Sequence, residues 1–121
     1  MKTILVIDDV PENRDMISVC LEDDYRVLQA SDGAEGLEVA ERDKPDLIFL
    51  DVSMPGMGGF ETIAALRKHH ELFSVPVIAI TAHSVVSARR AVERGCNDYL
   101  LKPLTAEKVR DKLTEWLPED Y

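Results

Sequence analysis

The 121 residues predict an α/β fold, a doubly wound parallel sheet of five strands with helices on both faces. Two observations carry this. Five short apolar runs alternate with five segments whose apolar residues recur at helical spacing, and connections this short suit parallel strands joined by crossover helices. Three of the runs, Ile4 to Ile7, Leu47 to Leu50 and Val77 to Ile80, are apolar without alternation. Strands covered on both faces read that way.

Thr3-Ile4-Leu5-Val6-Ile7 is the first strand and ends in Asp8-Asp9. Pro11 suits the first position of a helix, which Met16, Ile17, Cys20 and Leu21 carry to about Leu21. Tyr25 to Ala30 reads as a more polar strand. Asp32-Gly33-Ala34-Glu35 then opens a helix in the manner of a capping box, with Leu37 and Ala40 as its buried side. Pro45 separates that helix from a third strand, Asp46 to Leu50. After a loop rich in Gly and Pro, Phe60, Ile63 and Ala64 mark a third helix. The fourth strand runs from Val75 to Ile80, with Pro76 near its start, where a lost donor matters least. Ser84 can cap a fourth helix that buries Val85, Ala88 and Val92 and stops at Gly95. A fifth strand covers about Asp98 to Leu101, and Val109, Leu113, Trp116 and Leu117 form the buried stripe of the last helix.

The three continuously apolar strands belong at the centre and the two more polar ones at the edges. That corresponds to the flavodoxin-like order 2-1-3-4-5. One domain spanning 1–121 is expected, since 45% apolar content supplies one packed core. A net charge of -9 with no basic cluster argues against nucleic acid or an anionic membrane as partner. No apolar run approaches the roughly 20 residues of a membrane span. Met1-Lys2 leads directly into a strand rather than a signal peptide, so the chain is expected in the cytoplasm. Cys20 and Cys96 have neither CxxC nor Cys/His spacing and read as reduced, inert thiols.

Ligands in this architecture bind at the C-terminal ends of the strands. The first strand brings Asp8 and Asp9 there, the third Asp51, the fourth Thr81, and the fifth Lys102 followed by Pro103. Taken singly, each is more commonly a turn, cap or surface residue; their joint occurrence on one sheet edge is what points to a site. Three gathered carboxylates repel unless protons or a cation offset their charge. Oxygen ligands with open positions suit Mg²⁺ shared with a phosphoryl group. Around a nucleophilic carboxylate, a lysine, a hydroxyl and a metal are the parts needed for phosphoryl transfer. Asp51 would attack phosphorus in line, Lys102 and Mg²⁺ would hold the phosphoryl oxygens, and Thr81 would donate to one of them.

Asp8-Asp9, Asp51, Thr81-Ala82 and Lys102-Pro103, with the loop Met54 to Glu61 and the segment Gly95 to Pro103, resemble the receiver domains of two-component response regulators, in particular single-domain chemotaxis regulators. The resemblance covers essentially the whole chain. It implies that Asp51 accepts phosphate from a sensor histidine kinase or a histidine phosphotransfer protein. It also implies Mg²⁺, with Mn²⁺ able to substitute, held by Asp9, Asp51 and the main-chain carbonyl of Ser53, Asp8 acting largely through water. Lys102-Pro103 would be a cis peptide.

Thr81 and Tyr99 match the family's switch pair, although Tyr99 reads equally as an edge-strand aromatic. Phosphorylation would draw Thr81 and the following loop inward and reshape the face made by the fourth helix, fifth strand and fifth helix. That face would control a downstream protein. Ser53 and His83 occupy positions that tune the phosphoryl lifetime, with a solvated loop residue the other reading of His83. Asn13-Arg14 resembles receivers of phosphorelays and hybrid kinases. Arg89, Arg90, Glu93, Lys108 and Glu115 suit either a partner or weak-dimer face or, more simply, a solvated surface.

A haloacid-dehalogenase-type phosphatase would need an Asp where Ser53 stands and room for a cap domain. An FMN-binding flavodoxin would need a phosphate loop where Asp8-Asp9-Val10-Pro11 would repel one. A pseudo-receiver that binds without phosphorylation is disfavoured by the complete acidic set with Thr81 and Lys102. The reading is therefore a regulatory switch, not a turnover enzyme on a small molecule. Met1 just before the first strand favours a stand-alone regulator; a receiver cut from a hybrid kinase or larger regulator is the alternative.

Overall fold

A computed structural model describes residues 1–53, 58–82 and 85–117. The elements alternate as β1 (Thr3–Ile7), α1 (Pro11–Leu21), β2 (Arg26–Ala30), α2 (Gly33–Asp43), β3 (Leu47–Asp51), α3 (Gly59–Lys68), β4 (Val77–Thr81), α4 (Val85–Glu93), β5 (Asp98–Leu101) and α5 (Ala106–Trp116). The strands form one sheet in the order β2-β1-β3-β4-β5, and every pair is parallel. As the polarity pattern implies, β1, β3 and β4 are buried at every residue while β2 and β5 are partly exposed.

Alternation along the strands divides the core. Leu5, Ile7, Ile48, Leu50, Val77 and Ala79 pack with Val39 and Ala40 of α2, Ile63 and Leu66 of α3 and Ala91 of α4. On the other face Ile4, Val6, Leu47, Phe49, Ile78 and Ile80 meet Ile17 and Leu21 of α1 and Val109 and Leu113 of α5. The helices are thus divided between the two faces, and Asp8, Asp9, Asp51, Thr81 and Lys102 belong to neither core cluster.

Several boundaries and faces differ from the sequence expectation. Tyr25, Val75 and Pro76 lie outside the strands. Asp46 precedes β3, and its carboxylate accepts from the Thr3 amide at 2.7 Å, tying the entry of β3 to that of β1. In α3, Leu66 is buried while Ala64 is exposed and Phe60 half-buried. In α4 the buried residues are Ala88 and Ala91; Val85 and Val92 are 44% and 40% exposed. Small alanines let α4 lie close on the sheet and leave the larger valines at its margins. Met16, Cys20, Leu37, Trp116 and Leu117 are half-buried rather than fully enclosed.

The caps follow the chemistry of their residues. Asp32 accepts from the Glu35 amide at 2.8 Å while Glu35 reaches back to the Ser31 amide at 3.0 Å. Thr105 caps α5 through the Lys108 amide. Ser84, expected to cap α4, lies outside the described residues. Gly95 adopts φ 124°, a left-handed-side conformation that glycine tolerates, as the chain turns from α4 to β5. Both cysteines are free. Burial is the main cause that pushes the Cys96 thiol up to about 12, against the opposing charge of Arg67, so it is inert at neutral pH.

Candidate phosphoacceptor site

The parallel register brings the ends of β1, β3, β4 and β5 to one edge. Asp51, the last residue of β3, is 2% exposed. Its neighbour Val52 still donates to the Ile80 carbonyl at 3.0 Å, so the ladder fixes the backbone on which the carboxylate stands. Immediately beyond, the chain turns: the Ser53 amide donates to Asp51 Oδ1 at 2.7 Å. Lys102 Nζ reaches Asp51 Oδ2 at 3.2 Å from the end of β5. The two oxygens are therefore held by different partners, an amide on one side and an ammonium on the other. Gly59 supports this turn. A Cβ there would come within 2.3 Å of Val52 Cα, so only glycine lets the start of α3 lie against the residue after Asp51.

Asp8 is fully buried. Its Oδ1 accepts from the Val10 amide at 2.9 Å, whereas Oδ2 has no hydrogen-bond partner among the described residues. Burial is the largest influence on this group and raises its pKa; the charge of Asp51 raises it further. The Val10 amide, the Lys102 charge and Asn13 oppose. The carboxyl settles at about 6. Asp9 is exposed, and one carboxylate oxygen from each of Asp8, Asp9 and Asp51 lies within 4.8 Å of the others. An orphaned buried oxygen beside two further carboxylates fits a hard divalent cation with open positions. The donor set is all oxygen, which favours Mg²⁺ over softer metals.

Thr81, the last residue of β4, is fully buried, and its carbonyl accepts from the Lys102 amide at 2.9 Å. That bond binds the ends of β4 and β5 just where both reach the site. The Lys102–Pro103 peptide is cis. Tyr99 sits on β5 in register with Ala79, half-buried against the core beneath α2, α3 and α4. Ser53 is exposed beside Asp51. His83 lies outside the described residues, as does the loop Met54 to Met57. Arg89, Arg90, Glu93, Lys108 and Glu115 are all exposed.

The structure thus brings Asp8, Asp9, Asp51 and Lys102 together, with Thr81 at the adjoining strand end. Sequence reasoning missed the amides of Val10 and Ser53. Each stands two residues after the carboxylate it serves, the spacing at which an Asp accepts a backbone bond in a turn, so that signal was present. Among the described residues no helix is long and apolar enough to cross a membrane.

The model for the response regulator receiver domain matches residues 4–114. Protein PilH of Pseudomonas aeruginosa is 35% identical over 111 residues, covering 90% of this chain and 92% of PilH. The solved chemotaxis response regulator CheY4 of Vibrio cholerae superposes with a TM-score of 0.91 at 33% identity, covering 97% of this chain and 99% of CheY4. The receiver domain of sensor histidine kinase PA1611 from Pseudomonas aeruginosa, solved with a magnesium ion coordinated in its active-site cleft, superposes at 0.89 with 31% identity and 98% coverage of both chains. Such domains are regulatory rather than enzymes on small molecules, and they interact with histidine kinases and downstream targets. With the family model matching residues 4–114 and these relatives each covering 90% or more of the chain, the chain belongs to the response regulator receiver domain family of two-component signal transduction.

Proposed function

We propose that the chain, as a single receiver domain over 1–121, is a phosphorylation switch in which Asp51 takes a phosphoryl group from the phosphohistidine of a sensor kinase or phosphotransfer protein. The observation that carries this reading is the arrangement around Asp51: a buried carboxylate at a strand end, with Lys102 on one oxygen and two more carboxylates within reach. An Asp51 oxygen attacks phosphorus in line; the new P–O bond forms as the P–N bond breaks, and its electron pair returns to the imidazole. Lys102, already 3.2 Å from Oδ2, turns to a phosphoryl oxygen, and the Thr81 hydroxyl donates to another. The residues to hold Mg²⁺ are Asp8, Asp9, Asp51 and the Ser53 carbonyl, and Mn²⁺ suits the same oxygens. Bound there, the cation supplies neutralisation of the phosphoryl charge.

The added charge of about -1.5 to -2 biases Thr81 and the chain that follows it toward the site. Tyr99, half-buried on the neighbouring strand, turns inward behind Thr81, and the α4-β5-α5 face then meets a downstream protein. Water attack on phosphorus resets the switch, breaking the bond to the Asp51 oxygen, returning its carboxylate and releasing inorganic phosphate, with Ser53 and His83 setting the access of that water. The reading places the protein in the cytoplasm as a monomer or weak dimer. The kinship with a sensor-kinase receiver domain supports a phosphorelay intermediate as the second role.

Beryllofluoride with Mg²⁺ tests the switch directly by amide NMR. Mg²⁺-dependent shifts at Asp51, Thr81, Tyr99 and Lys102, absent in Asp51→Asn, are expected. A wild-type spectrum unchanged by beryllofluoride would favour a pseudo-receiver.

A further inference from the structure

The first turn of α1 carries a contact that the phosphoacceptor chemistry does not use. Arg14 sends one guanidinium nitrogen to the Asp8 main-chain carbonyl at 2.7 Å and its Nε to Gln29 Oε1 at 3.1 Å. Gln29, on the edge strand β2, is itself held, its amide donating to Ser18 Oγ at 2.8 Å and to Asp15 Oδ1 at 3.4 Å. The Asp8 amide donates to the Ala30 carbonyl at 3.1 Å. Asp8 is thus gripped on both main-chain sides, from β2 directly and from β2 through Arg14.

The carbonyl that Arg14 holds belongs to the Asp8–Asp9 peptide, so fixing it fixes the plane from which the Asp9 carboxylate projects. Asp9 is exposed, with no hydrogen bond to its carboxylate among the described residues. Its placement within 4.8 Å of Asp8 and Asp51 therefore depends on the backbone. Arginine suits the task because its planar fork reaches two acceptors at fixed geometry.

We propose that Arg14, braced by Gln29, is a positioning residue for the acidic cradle, holding the Asp8–Asp9 peptide so that the carboxylates of β1 and β3 converge on a divalent cation. The inference rests on the Mg²⁺ site of the proposed function. Residues that orient metal ligands without touching the metal commonly change affinity by 10- to 100-fold when removed. Arg14 acts on the backbone of a ligand rather than on its carboxylate, which puts the expected loss near the lower end.

Calorimetric titration of the full chain with MgCl₂ tests this, with urea midpoints measured on the same samples. Arg14→Met is expected to raise the Mg²⁺ dissociation constant about tenfold. Gln29→Leu, which leaves the Arg14 charge in place, is expected to raise it by a smaller factor. In both, the amide resonances of Asp9 and Val10 shift without metal. An unchanged Mg²⁺ constant in Arg14→Met beside a lowered urea midpoint would reduce Arg14 to a structural brace and overturn the proposal. A loss in Arg14→Met with none in Gln29→Leu would overturn the bracing by Gln29; removing a positive charge beside the carboxylates would by itself strengthen cation binding, so such a loss could not be laid to charge. Should Arg14→Met not fold, Gln29→Leu decides alone. A wild type that binds no Mg²⁺ would overturn the metal site itself, an outcome distinct from the others.

Discussion

Replacing Asp8 with Asn should stabilise the metal-free fold while removing its capacity for Mg²⁺. The Asp8 carboxyl is fully buried with one oxygen unpartnered among the described residues, and its pKa stands at about 6 against an ordinary 3.8. At about 1.4 kcal/mol per tenfold, ionising it in the folded state costs about 3 kcal/mol more than in the unfolded chain. Because the folded state holds the proton more tightly, this contribution favours the fold below pH 4 and is lost as pH rises toward 6. At pH 7 the wild type carries the whole cost. In Asp8→Asn the side-chain carbonyl would still accept from the Val10 amide, and an N–H would face Asp51 in place of a charge. In EDTA at pH 7, urea unfolding should place Asp8→Asn about 1–2 M above wild type, taking a slope of about 2 kcal/mol per M. The gap should close by pH 4. Saturating Mg²⁺ should raise only the wild type, by about 2.7 kcal/mol at one hundred times its dissociation constant. An Asp8→Asn protein no more stable than wild type at pH 7, or a gap independent of pH, would refute the reasoning.

Other perturbations follow from single contacts. Arg67 donates to the carbonyls of Leu72, Phe73, Val75 and Gly95 and to Asn97 Oδ1. Arg67→Ala should therefore cost about 3 kcal/mol in urea unfolding through the acceptors it strands, and loss of under 1 kcal/mol would show them solvated instead. Burial raises the Asp98 carboxyl, but the bonds from Lys112, Trp116 and the Tyr99 amide outweigh it and hold it below its ordinary value. Its stabilisation should be present at neutral pH and fade as pH falls below about 4. Asp98→Asn should flatten that limb and change Trp116 fluorescence; an identical acid limb would contradict the assignment. Gly59→Ala, whose Cβ would meet Val52 Cα at 2.3 Å, should displace the turn after Asp51 and slow phosphoryl uptake more than it lowers stability. An unaltered uptake rate would show the turn adapting without cost. Mg²⁺ affinity should weaken below about pH 6 as Asp8 takes a proton, and a flat profile between pH 5 and 7 would contradict the value assigned to it.

The sheet and its order were legible because strands buried on both faces leave uninterrupted apolar runs at Ile4, Leu47 and Val77. The placement of the candidate residues was legible because Asp8, Asp9, Asp51 and Thr81 end or follow such runs while Lys102 follows the more polar β5, and topology alone carries these strand ends to one edge. Helical faces were less legible. In α4 the alanines face the sheet and the valines do not, since close packing can favour the smaller side chain over the more apolar one. The clusters around Arg67 and Asp98 left no local pattern. Their side-chain partners are separated by up to 30 residues for Arg67 and by 14 and 18 for Asp98, and most acceptors of Arg67 are backbone carbonyls, which no residue type announces. Arg14 is of the same kind: Asn13-Arg14 carries a family resemblance, but nothing local announces that its guanidinium lies on the Asp8 carbonyl.

The central claim is that Asp51 is the phosphoacceptor, and intact-mass measurement tests it most directly. Wild type and Asp51→Asn would be incubated with a small-molecule phosphodonor and Mg²⁺, with and without chelator. One phosphoryl adduct on wild type, lost with chelator and absent from Asp51→Asn, is the expected result. An adduct of equal extent on Asp51→Asn, or one formed equally in chelator, would contradict the account.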